Sequence, residues 1–244
     1  MRNTDQWKPT RVVRDPRTGG FTTNRKDIFG GSLYIADRQH AHYIPLLQEH
    51  IGGEVLDIGC GPVPYFEVYG AKSTGITCVD WAASAHGTQF VDHFVDLNEP
   101  GPLPFADSTF DSIVASDMIQ HLKRPHALVA ELARVLKPGG KIFLSAPFIY
   151  WMSEYPHEYY HLSEFALRDL TAASGMEVVQ LTSYGGNVDV LMDSLNKLMP
   201  HGLSNRLFLM LSRLLDWTGW PRRNRERTKD RYAMGYCMVV RKPG

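Results

Sequence analysis

Eight consecutive residues constrain this chain most: Val55-Leu56-Asp57-Ile58-Gly59-Cys60-Gly61-Pro62. An apolar run that carries an acid and ends on two glycines reads as a short buried strand entering a sharp turn. Gly59 and Gly61 let the backbone turn and approach a ligand with no Cβ in the way. A helix beginning after such a turn would aim its N-terminal N–H groups into the gap. The surrounding sequence repeats the strand signal at 54–58, 74–80, 93–97, 110–115 and 141–146, with helical spacing at 37–51, 125–136 and 163–174. Pro45 marks a kink or a late start in the first helix, and Ser163 and Gly175 suit the N-cap and C′ ends of the last. Short apolar strands alternating with helices predict an α/β fold, a parallel sheet covered on both faces. Two further strands, 177–182 and 232–241, lie about fifty residues apart; if they pair as a hairpin, residues 183–231 are an insertion between them.

Charge and cysteine usage narrow the class. The 26 basic and 26 acidic residues exclude a uniformly basic nucleic-acid binder. Residues 1–200 nevertheless carry 16 Lys/Arg against 23 Asp/Glu, and residues 201–244 carry 10 against 3. An acidic body with a basic end points to an anionic partner for that end. Cys60, Cys78 and Cys237 lie far apart with no C-x-x-C pairing, which predicts a reducing, cytoplasmic setting rather than a disulfide framework or zinc knuckle. No apolar stretch suits a signal peptide or a membrane-spanning helix. Residues 1–36, polar at first and broken by Pro9, Pro16, Gly19 and Gly20, read as a mobile N-terminal arm or a lid, and 37–244 as the main domain.

Two nucleotide-type ligands suit the glycine turn. A dinucleotide needs G-x-G-x-x-G/A, and Pro64 stands in the last place, which weighs against a nicotinamide-dependent oxidoreductase. S-adenosylmethionine needs an acid before the glycines for its amino group, a second at the end of the next strand for the ribose hydroxyls and a third for the adenine amino group. Asp57, Asp80 (followed by Trp81) and Asp96 occupy those places, at intervals of 23 and 16 residues. Asp117, just past the fourth strand, lies where ligands bind in open α/β sheets, although helix capping explains it nearly as well.

With 55–62, 78–80, 95–97, 103–122 and 136–147 in this order, the chain resembles the class I S-adenosylmethionine-dependent methyltransferases, in particular their small type 11 group. The resemblance covers about residues 37–182 and 230–242. It implies a Rossmann-like seven-stranded sheet with helices on both faces and an antiparallel C-terminal hairpin. It also implies cofactor contacts at Asp57, Gly59, Gly61, Asp80, Asp96, Leu97 and Asp117, with S-adenosylhomocysteine as the product. Val63 stands where the family often has a third glycine, which narrows the freedom of the loop. No Asp/Asn-Pro-Pro-aromatic element follows the fourth strand, so a nucleic-acid acceptor is not expected; a small molecule or glycan-type precursor is, at oxygen rather than nitrogen. A catalytically silent cofactor-binding protein is the rival from another class.

His157-Glu158-Tyr159-Tyr160-His161 spells the H-E-x-x-H of zinc proteases, which works only on a helix. Pro156 before it and the N-cap Ser163 after it place it in a loop, so no metal site is expected. The stretch also resembles a Pro-His-Asp/Glu-Tyr-Tyr element of polysaccharide and natural-product methyltransferases. Following the fifth strand, residues 147–162 would overhang the donor methyl group, with aromatic walls and polar tips suited to an acceptor, though satisfied lid packing explains them too. A hydroxyl acceptor loses a proton as its bond forms, so His157, His161 and His121 are the candidate bases, in that order.

In the insertion, Leu203, Leu207, Met210, Leu211, Leu214 and Thr218 fall at helical spacing, with Arg206 and Arg213 between them and Trp217, Trp220 and a basic run at 222–231 beyond. Residues 203–231 therefore suit peripheral contact with an anionic membrane, or a dimer interface; a helix packed over the pocket beside a solvated basic loop has the same signature.

Overall fold

The computed structural model describes residues 1–28, 30–199 and 203–244. Its main sheet has seven strands in the order β5-β4-β3-β6-β7-β9-β8. They are β3 (Gly53–Ile58), β4 (Ser73–Asp80), β5 (His93–Phe94), β6 (Phe110–Ser116), β7 (Leu136–Pro147), β8 (Glu177–Tyr184) and β9 (Gly235–Arg241). Strands β3 to β7 run parallel, and β9 inserts antiparallel between β7 and β8. The seven-stranded sheet with a reversed terminal hairpin is as expected from the sequence.

Strand alternation divides the core. Along β3, Val55 packs with the Tyr43, Leu47 and Tyr69 side, while Leu56 and Ile58 pack with Leu128, Leu132 and Leu170. The first layer is supplied by α1 (Leu33–His50) and α2 (Phe66–Tyr69), the second by α3 (Pro125–Val135) and α4 (Glu164–Ala172). A strand buried on both faces must be apolar throughout, so buried Asp57 stands out as the charged exception in β3. Ser163 caps α4, its Oγ accepting from the Ala166 N–H at 3.4 Å, and Gly175 takes φ +70° beyond the helix.

Several boundaries differ from expectation. Helix α1 starts at Leu33, not 37, and runs through Pro45. Strand β5 keeps only two residues because Val95, Asp96 and Leu97 leave the sheet to wall a cavity. The N-terminal arm packs on the body. Its strands β1 (Val12–Arg14) and β2 (Phe21–Thr23) form a hairpin strapped to the body. Trp7 donates to the Pro62 carbonyl at 3.1 Å and packs edge-on against Phe66, Val12 is fully buried, and Thr23 Oγ1 lies 2.9 Å from His40 Nδ1. Apolar anchors at isolated positions carry no periodicity, so composition alone does not reveal them.

Between β8 and β9 the insertion folds as α5 (Asn187–Leu198), α6 (Leu203–Trp217) and α7 (Trp220–Thr228). The side chains of Leu203, Arg206 and Arg213 lie outside the described residues. A buried ionic network holds the three helices to α1. Asp189 accepts from Tyr34 Oη (2.9 Å) and from Arg225 Nε and Nη2 (2.8 and 2.9 Å), and Arg38 bridges Asp189 (3.0 Å) and Asp216 (2.6 Å). Removing one partner leaves largely buried charges unmatched, so Asp189→Ala is expected to cost about 3 kcal/mol. That corresponds to a fall of roughly 6–12 °C in Tm for a chain of this size, read by calorimetry; an unchanged Tm would mean the network adds no net stability.

Candidate functional site

The site begins at the turn after β3. Gly59 and Gly61 take φ +65° and +47°, the left-handed region, and both the Gly59 and Cys60 N–H groups donate to the Val79 carbonyl, at 2.8 and 3.1 Å. A Cβ at Gly59 would stand 2.9 Å from Met118 Cβ, so a larger residue there needs backbone movement. Val63 also sits at φ +52° while fully buried, its N–H bonded to the Cys60 carbonyl at 2.8 Å. The loop keeps its left-handed residue without a third glycine, at a strain of about 1–3 kcal/mol for a β-branched side chain.

The turn delivers Gly61 N–H to Asp80 Oδ2 at 2.7 Å, while Asp80 Oδ1 takes the Trp81 N–H at 2.8 Å. Burial raises the Asp80 carboxyl above its ordinary range, and these two bonds oppose the rise. Asp80 and Gly59 line a cavity of about 480 Å³ with Trp81, Asp96 and Leu97. Asp117 lines the same cavity, so six of the eight expected cofactor residues share it. The other two, Asp57 and Gly61, lie outside its lining. Asp57 is buried and accepts a hydrogen bond from the Tyr69 hydroxyl. An acidic wall beside an indole and a leucine fits a ribose and a flat base; the cavity is of the size that encloses a cofactor-sized ligand.

Asp117 has φ +51° and a crowded carboxylate. Oδ2 binds Arg11 Nη1 at 3.1 Å, and Oδ1 accepts from Gln39 Nε2 at 2.7 Å and Ser145 Oγ at 2.9 Å. Three donors commit this acid to joining the arm, α1 and β7, and the cavity lining gains Arg11, Gln39, Tyr150 and Tyr184 around it. Sequence reasoning missed Arg11, Gln39 and Tyr184, whereas Tyr150 lies in the 147–162 segment expected there. Arg11 lies 106 positions from its partner, and its basic neighbourhood read as a solvated arm. His40, also missed, packs behind this wall edge-on to Tyr65; burial, and next the Arg11 charge, lower its pKa to about 3, so it is neutral throughout the physiological range.

The H-E-x-x-H residues lie in a loop, not on a helix. Glu158 is the loop's hub, with Oε2 accepting from Ser153 N (2.6 Å), Ser153 Oγ (3.1 Å) and Glu154 N (3.2 Å), and Oε1 2.7 Å from His161 Nε2. His161 is thus engaged with Glu158, outside the cavity lining. His121 lines the cavity, but its Nδ1 lies 2.8 Å from the His157 carbonyl and its Nε2 lies 3.1 Å from Gln120 Nε2. A neutral ring with the proton on Nδ1 satisfies both contacts and leaves no free lone pair. His157 lines the cavity with its ring edge-on to Trp81, centroids 5.5 Å apart. Among the described residues no group of three His, Cys, Asp or Glu is placed to hold a metal ion.

Comparison with known proteins agrees with this fold. Residues 56–144 match the family described as "Methyltransferase domain". The ubiquinone biosynthesis O-methyltransferase of Xanthomonas oryzae pv. oryzae is 33% identical over 122 residues, 46% of this chain and 51% of that protein. The chain therefore spans about half the length of the curated relatives it matches. Phosphoethanolamine N-methyltransferase 2 of Haemonchus contortus, solved with S-adenosyl-L-methionine, has a TM-score of 0.57 at 16% identity, covering 91% of this chain and 58% of that one. The 4+2 cyclase SpnF has a TM-score of 0.56 at 21% identity, covering 86% and 83%; likeness at this level shows the fold alone. The sheet thus has the class I methyltransferase fold, and within it residues 56–144 match a methyltransferase domain. The match falls on the segment that carries the glycine turn and the strand-end acids, and it weighs against the nicotinamide-dependent oxidoreductase alternative.

The state of Asp57 is testable. Burial pushes its carboxyl up to about 7, the Tyr69 bond opposing and the Asp80 charge adding to the rise. An unfolded aspartate titrates near 4, so between about pH 4 and 7 the folded state holds a proton that the unfolded state has lost. The Asp57 contribution to stability therefore falls as pH rises through that window. Asp57→Asn removes the titration, and in urea unfolding from pH 5 to 8 the variant is expected to gain on the wild type; parallel curves would place the Asp57 carboxyl in its ordinary range.

Proposed function

We propose that the protein transfers the methyl group of S-adenosylmethionine to a hydroxyl of a small molecule or glycan-type precursor. The observation that carries the reading is one cavity with two chemically different ends. Asp80, Trp81, Asp96 and Leu97 form one end, and Arg11, Gln39, Tyr150 and Tyr184 the other, with Met118 between. Bound in the first end, S-adenosylmethionine supplies an electrophilic methyl on a sulfonium. Asp80 would accept from the ribose hydroxyls, Asp96 from the adenine amino group, and Trp81 and Leu97 would enclose the base. Asp57, buried outside the lining and bonded to Tyr69, would act on the amino group only indirectly, by supporting the turn of Gly59 and Gly61. Asp117 acts by holding Arg11 and Gln39, which with the two tyrosines offer polar tips to orient an acceptor.

In-line displacement at a sulfonium is largely positioning, and deprotonating the acceptor hydroxyl adds a base. His157 is the histidine we assign to that role, because its ring faces the cavity and no hydrogen bond engages it among the described contacts. His121 and His161, both engaged by protein groups, serve to hold the loop.

Asp80→Ala removes the charged acceptor of the ribose hydroxyls, at a total cost of about 1.5–3 kcal/mol. Titration calorimetry should then show S-adenosylhomocysteine binding weakened roughly ten- to a hundredfold; unchanged affinity would remove Asp80 from the site. Incubation with methyl-labelled S-adenosylmethionine and a bacterial metabolite extract should yield a labelled product heavier by one CH2 group. With that product as the readout, His157→Ala should keep cofactor affinity and lose about 10²–10⁴ in turnover. Tight cofactor binding with no product in any extract would favour a catalytically silent binding protein.

A further inference from the structure

Helices α5 and α6 bury one side and leave the other uncovered. On α6, Leu209 and Ser212 face inward, and Asp216 binds Arg38. The stripe Leu207, Met210, Leu211, Leu214 and Trp217 faces out, with Leu211 53% and Trp217 88% exposed. On α5 the stripe Leu191, Leu195 and Leu198 does the same, Leu198 being 79% exposed. Spacings of three and four residues keep each stripe on one face of its helix. Scattered exposed apolar residues are ordinary; two helical stripes side by side in one insertion mark a contact surface.

Charge identifies what the surface contacts. Helix α7 turns Arg225 inward to Asp189 and leaves Arg222, Arg223 and Arg227 exposed beside the stripes, with half-exposed Trp220 at its start. We infer that the α5–α7 insertion docks the protein on an anionic lipid bilayer, the leucines entering the acyl boundary, the two tryptophans lying at headgroup level and the α7 arginines meeting the lipid phosphates. Amphipathic helices with this division lie in the plane of the interface, and basic residues add attraction to anionic lipid. The excess of acid over residues 1–200 orients the molecule by turning the rest of the surface away from the same membrane. A second copy of the chain fits less well, because a two-fold contact presents the same patch from both sides and brings the α7 arginines of both copies together. Docking also orients the cavity, since Tyr34 and Arg38 of α1 hold the insertion while Ile35, Ala36 and Gln39 of the same helix line the cavity. The inference is independent of the catalytic reading and tested without turnover.

The full chain is mixed with vesicles of pure phosphatidylcholine, or of phosphatidylcholine with about one third phosphatidylglycerol, and bound protein is measured by flotation. Binding to the anionic vesicles is expected to be at least about tenfold tighter than to the neutral ones, and to weaken with salt. Leu211→Glu with Leu214→Glu should abolish it, and Arg222→Glu with Arg223→Glu should remove the preference for anionic lipid. All four positions are solvent-exposed, and an unchanged Tm in each variant shows that the fold survives. Failure to float with either vesicle would overturn the inference. So would a dimer in light scattering that Leu211→Glu with Leu214→Glu dissociates while flotation is unaffected.

Discussion

The site depends on one shared acceptor, the Val79 carbonyl, which takes the N–H groups of both Gly59 and Cys60. That pair of bonds folds the chain back against the end of β4 as it leaves β3. In consequence Gly61 N–H meets the Asp80 carboxylate, and Asp80 reaches the cavity with one oxygen bonded to the loop and the other to its own neighbour's N–H. Positive φ at Gly59 and Gly61 is what permits the return. Val63 shows how strongly the loop is determined, since a buried valine keeps the same left-handed backbone despite its side chain. Backbone strain of this kind persists only where the surroundings over-determine it.

The second end of the cavity depends on a different kind of contact. Asp117 is a junction at which the N-terminal arm, α1 and β7 meet through Arg11, Gln39 and Ser145. The arm thereby becomes part of the wall and contributes a guanidinium to it. With its carboxylate committed to three donors, Asp117 organises this part of the pocket. The buried network around Asp189 does the equivalent for the insertion, fastening three helices to the outer side of α1.

Much of this was legible in the sequence where a physical periodicity reports burial. Strands β3, β4, β6 and β7, the hairpin of β8 and β9, and the caps of α4 followed from apolar runs, acids at strand ends and turn residues. Asp80, Trp81, Asp96 and Leu97 were legible because strand carboxyl ends in an open sheet converge on one edge. The arm was not. Trp7, Arg11 and Val12 act singly over long sequence distances, and nothing local distinguishes an anchored polar segment from a free one. The histidines divided for a similar reason: His161 and His121 are engaged by Glu158, Gln120 and the His157 backbone, contacts that spacing does not encode.

The central claim is that the cavity wall of Asp80, Trp81, Asp96 and Leu97 holds the adenosine of the cofactor. A crystal structure of the chain soaked with S-adenosylhomocysteine tests it most directly. The account predicts both ribose hydroxyls within hydrogen-bond distance of the Asp80 carboxylate and the adenine between Trp81 and Leu97 with its amino group at Asp96. Density for the ligand in any other part of the cavity, with Asp80 still bonded only to Gly61, Trp81 and Ser84, would contradict it.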